Sequence, residues 1–283
     1  MVLDLQYPFR VLRLPAIHLA RLKHQSAQLV DLYDQPDRFI YELTNLFELY
    51  ADRTHRPGQS GEPPSLLMTY NLPKPVLRQI ITDMQGRVES NPVEVLALVN
   101  RAWSVPSLEF RLLAASLLGL IHVEPPETVL KTLEAWCESK MDDRMIAIVM
   151  NNGLARLRQL APEKVIAQIQ IWLENNDLYY QQVGLRALIP VLSAEEYENI
   201  PIFFHMLSPF VRNAPLKIRP DILEALHNLA SHSPKETAYF LQQNLKAPDN
   251  PDTAALTRKC LPHFPPEVQE SLRTSLRGNL DKQ

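Results

Sequence analysis

Glycine is scarce in this chain, with seven residues in 283. Tight hairpins and bulges draw on residues that tolerate positive φ, so a β-rich plan is excluded. Cysteine is scarcer still. Cys137 and Cys260 lie far apart and fit no CxxC or Cys/His zinc spacing, which argues against a disulfide framework and for a reducing compartment. Long apolar runs are missing too. The longest, LLAASLLGLI at 112–121, is about half of what a membrane span needs, and no apolar run of signal-peptide type opens the chain. These absences imply a soluble, cytoplasmic protein with no membrane partner.

An excess of positive charge is also lacking. The formal net charge is −3, and residues 107–206 carry 8 basic against 13 acidic groups, so the middle of the chain is its acidic part. A nucleic-acid partner normally demands clustered Lys and Arg. Catalytic signatures are absent as well. The histidines, His18, His24, His55, His122, His205, His227, His232 and His263, form no HExxH and no pair three or four residues apart. No phosphate-cradling, dinucleotide or nucleophile-elbow motif occurs. No metal and no small-molecule cofactor is implied.

What is present is a repeat. Helix-opening stretches recur as PSLEFRLLAASLLGL from Pro106, MDDRMIAIVMNNGLARL from Met141, NDLYYQQVGLRALIPVL from Asn176 and APLKIRPDILEALHNLA from Ala214, with starts 35, 35 and 38 residues apart. In three of the four a second helix follows and opens on proline, at Pro126, Pro162 and Pro234, where the missing N–H would have no partner anyway. Trp136 and Trp172 fall ten residues after their prolines, which places them between neighbouring pairs. A pair this short cannot enclose its own apolar face, so stacking must bury it. The expected fold is all-α, an α-solenoid of HEAT-like antiparallel helix pairs. The Gly-, Pro- and Ser-rich stretch 55–65 divides an N-terminal helical layer, residues 1–65, from the regular array and its C-terminal cap, residues 66–283. The segment 10–24 has four positive charges and no acid, and reads as the first helix with a basic face, interrupted at Pro15.

Four stretches, LPKPVLRQI, RAWSVPSLEFRLLAASLL, WLENNDLYYQQVGLRAL and KIRPDILEALHNLASHSPKETAYFLQQN, come in an order and spacing that resembles the HEAT-like DNA alkylation-repair glycosylases of the AlkC/AlkD type, over roughly residues 66–265. The resemblance implies DNA held on a concave face and excision of cationic alkylated bases by an aspartate four residues after a tryptophan. Carried over, that aspartate falls on Ala147 or Ile148, the expected Trp and Arg of a later helix on Tyr179 and Gln182, and a second tryptophan on Glu224. Stabilising a cationic sugar requires a carboxylate near the anomeric carbon and aromatic faces against the base. Three departures at matched places argue against that chemistry. The implied function is a non-catalytic repair-like scaffold binding duplex DNA or a protein on its concave face. The alternative is a glycosylase for alkylated purines with a rearranged site, using Asp143 or Glu224.

Asp142 and Asp143 stand ahead of a long apolar helix, and one of them is expected to cap it. Arg111, Arg144, Arg186, Lys217 and Arg219 lie on successive first helices. Two readings stay open for them: a stripe that tracks phosphates, or charges that pair with Glu109, Asp143, Asp221 and Glu224. Tyr179 is the candidate for stacking on a base, with core packing as its alternative.

Overall fold

The computed structural model describes residues 18–53, 67–193 and 200–280. The stretch 55–65 and the start of the basic segment 10–24 lie outside the described residues. The architecture is an all-α solenoid of paired helices. Its first pair is α1 (Leu19–Val30) with α2 (Pro36–Tyr50), and its second is α3 (Lys74–Ser90) with α4 (Pro92–Trp103). Then come α5 (Leu108–Leu118) with α6 (Glu127–Glu138), and α7 (Asp143–Gly153), continued by α8 (Ala155–Leu160), with α9 (Pro162–Leu173). The array closes with α10 (Leu178–Leu192) and α11 (Ile200–Arg212), α12 (Arg219–His232) and α13 (Pro234–Lys246), and α14 (Thr253–Cys260), a 3-10 turn at Leu261–His263 and α15 (Pro266–Leu280). The described residues contain no strand, only one bridging pair, Met68 with Ser107.

The helices form two rows. The first helices pack in succession, α1 on α3, then α5, α7, α10, α12 and α14. The second helices form the other row. Within it α2 packs on α4, α11 on α13 and α13 on α15. Across the middle, Trp103 of α4 stacks on Trp136 of α6 at 4.1 Å and 6°, and Lys164 of α9 pairs with Glu127 of α6. Trp136 therefore sits between neighbouring pairs, and Trp172 is buried as well.

Local chemistry explains the starts. Pro36, Pro92, Pro162 and Pro234 each occupy the first position of a helix, where no N–H is needed. Pro126 stands one residue ahead of α6, as its cap residue. Two prolines lie inside helices, Pro190 in α10 and Pro209 in α11, and the chain resumes with Ser193 N donating to Ile189 O and Asn213 N to Pro209 O. The stretch read as one helix from Met141 is divided at Leu154. The reason is a backbone approach: Gly119, just after α5, accepts from Arg156 N at 3.0 Å and leaves room only for a hydrogen where its neighbour is Asn152.

The core runs the length of the array, with Phe39, Phe47 and Phe110 fully buried and the rings of Phe47 and Phe110 edge to face at 5.0 Å. No described helix is long and apolar enough to cross a membrane.

Candidate nucleic-acid interface

Asp142 closes the N-terminus of α7. Its carboxylate accepts from Met145 N at 2.8 Å, meeting one of the helix's unpaired donors. Asp143 is the first helical residue, and its exposed side chain takes no part in the cap.

The repeat acquires a finer pattern in three dimensions. Repeat starts recur at Asn71, Pro106, Met141, Asn176, Ala214 and Asp249, and the third residue after each is Lys74, Glu109, Arg144, Tyr179, Lys217 and Asp252. Every second one latches its repeat to the preceding one. Glu109 accepts from Tyr70 N and Asn71 N, both at 2.8 Å, the Tyr179 hydroxyl accepts from Met141 N at 3.1 Å, and Asp252 accepts from Ala214 N at 2.8 Å. Lys74, Arg144 and Lys217 hold the alternate positions, and all three are exposed. Neutral or anionic oxygens can take a backbone N–H, whereas an ammonium or guanidinium has no acceptor to offer. Glu109→Ala leaves two backbone donors and the Ser107 hydroxyl without their carboxylate, and is expected to lower unfolding stability by about 2 kcal/mol in urea melts. An unchanged midpoint would mean that water replaces the latch at no cost.

The remaining sequence candidates are spread between surface and interior. Arg111 lies over Trp103, with its guanidinium carbon 4.8 Å from the ring centroid; burial lowers its pKa and Asp142 opposes that. Arg186 pairs with Asp221 and, at 3.2 Å, with Glu224. Asp221 is buried and also accepts from Gln182 Nε2 at 3.2 Å. Burial pushes the Asp221 carboxyl pKa up, Arg186 and Gln182 pull it down, and Asp143 and Glu224 add to the rise. The two weak catalytic candidates therefore share one neighbourhood: Glu224 is occupied by Arg186, and Asp143 is exposed and electrostatically close to Asp221. Arg219 donates to Asp252 at 2.6 Å and to Ala214 O at 2.8 Å. Tyr179 is buried, and burial pushes its phenol up to about 12. Of the six residues singled out for nucleic acid, Arg144 and Lys217 are the two exposed ones.

Two cations on the same edge were missed from sequence. Lys74 follows Asn71 by the spacing that relates Arg144 to Met141, a signal that lies one repeat ahead of Pro106, where the regular helix-opening stretches begin. Lys140 precedes α7 with φ 48° and donates to Asp177 at 3.0 Å. Asp177 in turn caps α10 by accepting from Tyr179 N at 2.9 Å, and this bond, then Lys140, holds its carboxyl below the usual range, with Lys217 contributing. Nothing in the local sequence spacing announces a residue 37 positions away.

Other chemistry is sparse. Among the described residues no three of His, Cys, Asp and Glu gather as a metal site. Both cysteines are free and buried, and burial pushes their thiols up to about 12. His227 on α12 stacks on His263 with ring centroids 3.7 Å apart. Burial lowers the His227 pKa, His263 acts the same way, and Glu224 opposes them. The unfolded chain then binds the extra proton first, as pH falls below about 6.5, so stability is full above that value and declines beneath it. His227→Phe should flatten the fall of the melting temperature between pH 7.5 and pH 5.5, both values chosen to bracket about 6.5. An equal fall in the variant would remove the stack as its source.

A profile of the DNA alkylation repair enzyme family matches residues 66–258, more than half of the chain. No curated protein and no solved structure matches it significantly.

Proposed function

The chain belongs to the DNA alkylation repair enzyme family, and on that premise we propose that it acts in repair by gripping the phosphate backbone of duplex DNA without excising a base. The observation that carries this reading is the line of Lys74, Arg144 and Lys217, one exposed cation on every second repeat at the N-terminal edge of the first-helix row. Packed helices lie about 8–10 Å apart, so these cations are about 16–20 Å from one to the next. The whole line then spans about one turn of B-form duplex. The N-terminus of α3, which has no acid in its first turn, adds partial positive charge beside Lys74, which favours phosphate.

The non-catalytic part rests on where the family's carboxylate and aromatic positions fall. Ala147 and Ile148 carry no acid, Tyr179 is buried as a latch, Gln182 is buried beside Asp221, and Glu224 is held by Arg186. A site for cleaving a glycosidic bond needs an ionised oxygen aimed at the sugar. A second reading, a glycosylase for alkylated purines, is favoured by one observation: Asp142 takes the cap and Asp143 keeps an exposed carboxylate.

Methylated duplex DNA distinguishes the two. At saturating protein the duplex should be bound and no free methylated base released. Release that disappears in Asp143→Asn would overturn the non-catalytic reading and assign the carboxylate. A chain that binds no duplex even at low salt would overturn DNA binding itself and leave the surface to a protein partner.

A further inference from the structure

Leu216 is 79% exposed, the most exposed large apolar side chain among the described residues. Single exposed leucines are ordinary on protein surfaces. This one differs in how it is mounted. It occupies the turn between α11 and α12, and the residues two positions to either side, Ala214 and Ile218, are buried. The base of the turn is tied at both ends to one carboxylate: Asp252 accepts from Ala214 N at 2.8 Å and from the Arg219 guanidinium at 2.6 Å. Arg219 also donates to Ala214 O at 2.8 Å, while Ile218 N and Arg219 N both donate to Pro215 O at 3.1 Å. Pro215 and Pro220 restrict the backbone further. The result is a stiff platform that holds Leu216 outward, directly beside the exposed Lys217.

A rigid apolar side chain next to a phosphate-binding cation is suited to entering a base step. Insertion partly unstacks the step, and the protein gains contact with the bent duplex. The expense is least where stacking is already weak, at a mismatch, a damaged base or a pyrimidine–purine step. We propose that Leu216 is a wedge that enters weakly stacked steps of the DNA held by Lys217, so that the protein senses unstacked base pairs. This rests on the reading of the Lys74, Arg144 and Lys217 edge as a duplex surface. It also gives Arg219 a role: the guanidinium positions the wedge by bracing Asp252.

The test uses the full chain and short duplexes carrying 2-aminopurine beside a central mismatch or beside the matched pair. The wild type is expected to raise 2-aminopurine fluorescence several-fold on saturation, and to bind the mismatched duplex about tenfold more tightly. Leu216→Ala should lose the rise and the preference for the mismatch while keeping the salt dependence of binding, and Leu216→Phe should keep both. Wild-type binding without a fluorescence rise, or a rise that survives in Leu216→Ala, overturns the wedge and leaves the backbone grip standing. Absence of duplex binding at low salt overturns both.

Discussion

Gly119→Ala is expected to be the most damaging single substitution in the array, lowering stability by about 3 kcal/mol. The residue has φ −70°, so backbone freedom is not what demands glycine here. Space is. A β-carbon at 119 would land on the carbonyl oxygen of Asn152 and stand 2.8 Å from its carbonyl carbon. Both are backbone atoms of the last turn of α7, which cannot rotate away as a side chain would. Relief would require α5 and α7 to part in the middle of the first-helix row, loosening the fully buried Leu117, Leu118 and Val149 and the bond from Arg156 N to Gly119 O. Guanidinium unfolding measures the loss. A midpoint within error of the wild type would show that the two helices accommodate a methyl group without separating.

Replacing Lys74, Arg144 and Lys217 together by Ala should remove most duplex affinity and nearly all of its salt sensitivity. Each neutralised phosphate contributes about −0.9 to the log–log slope, so three contacts predict a slope of about −2.7. A fourfold rise in salt then weakens wild-type binding about 40-fold, and the triple variant should be almost insensitive. All three side chains are exposed and stand at the positions that alternate with the Glu109, Tyr179 and Asp252 latches, so the variant is expected to fold. Charge removal at Arg186 or Arg219 is not an equivalent test, because those guanidiniums hold Asp221, Glu224 and Asp252 and their loss would disturb packing. A triple variant with the wild-type slope would place the DNA on another face.

The contrast between these two sets of arginines and lysines explains how far the sequence could be read. Asp142 as a cap was legible, because a cap joins a carboxylate to a donor three residues away. Prolines at first helical positions were legible for a similar reason, and so was Trp136 between pairs, from its constant offset in the repeat. The partners of Arg186, Arg219 and Tyr179 were not. They lie 33 to 38 residues away on the adjoining repeat. Which side chain meets which depends on how each helix is rotated about its axis, and that rotation comes from core packing rather than from charge spacing.

The division at Leu154 belongs to the same category. Periodicity continues through Gly153, and nothing along the chain reports that Gly119, 34 positions earlier, comes to rest against that turn. Composition and periodicity were thus sufficient to specify helices, their pairing and their stacking into an array, since these follow from how often apolar residues recur and where prolines permit a start, whereas the family was legible only through the resemblance of four stretches in their order and spacing. The split of the cations into exposed and part-buried, the latches at alternate repeats and the mounted Leu216 arose from packing between repeats. Contacts between residues far apart in the chain have no periodic trace along it, and they exist only once neighbouring helices have settled their rotation and depth.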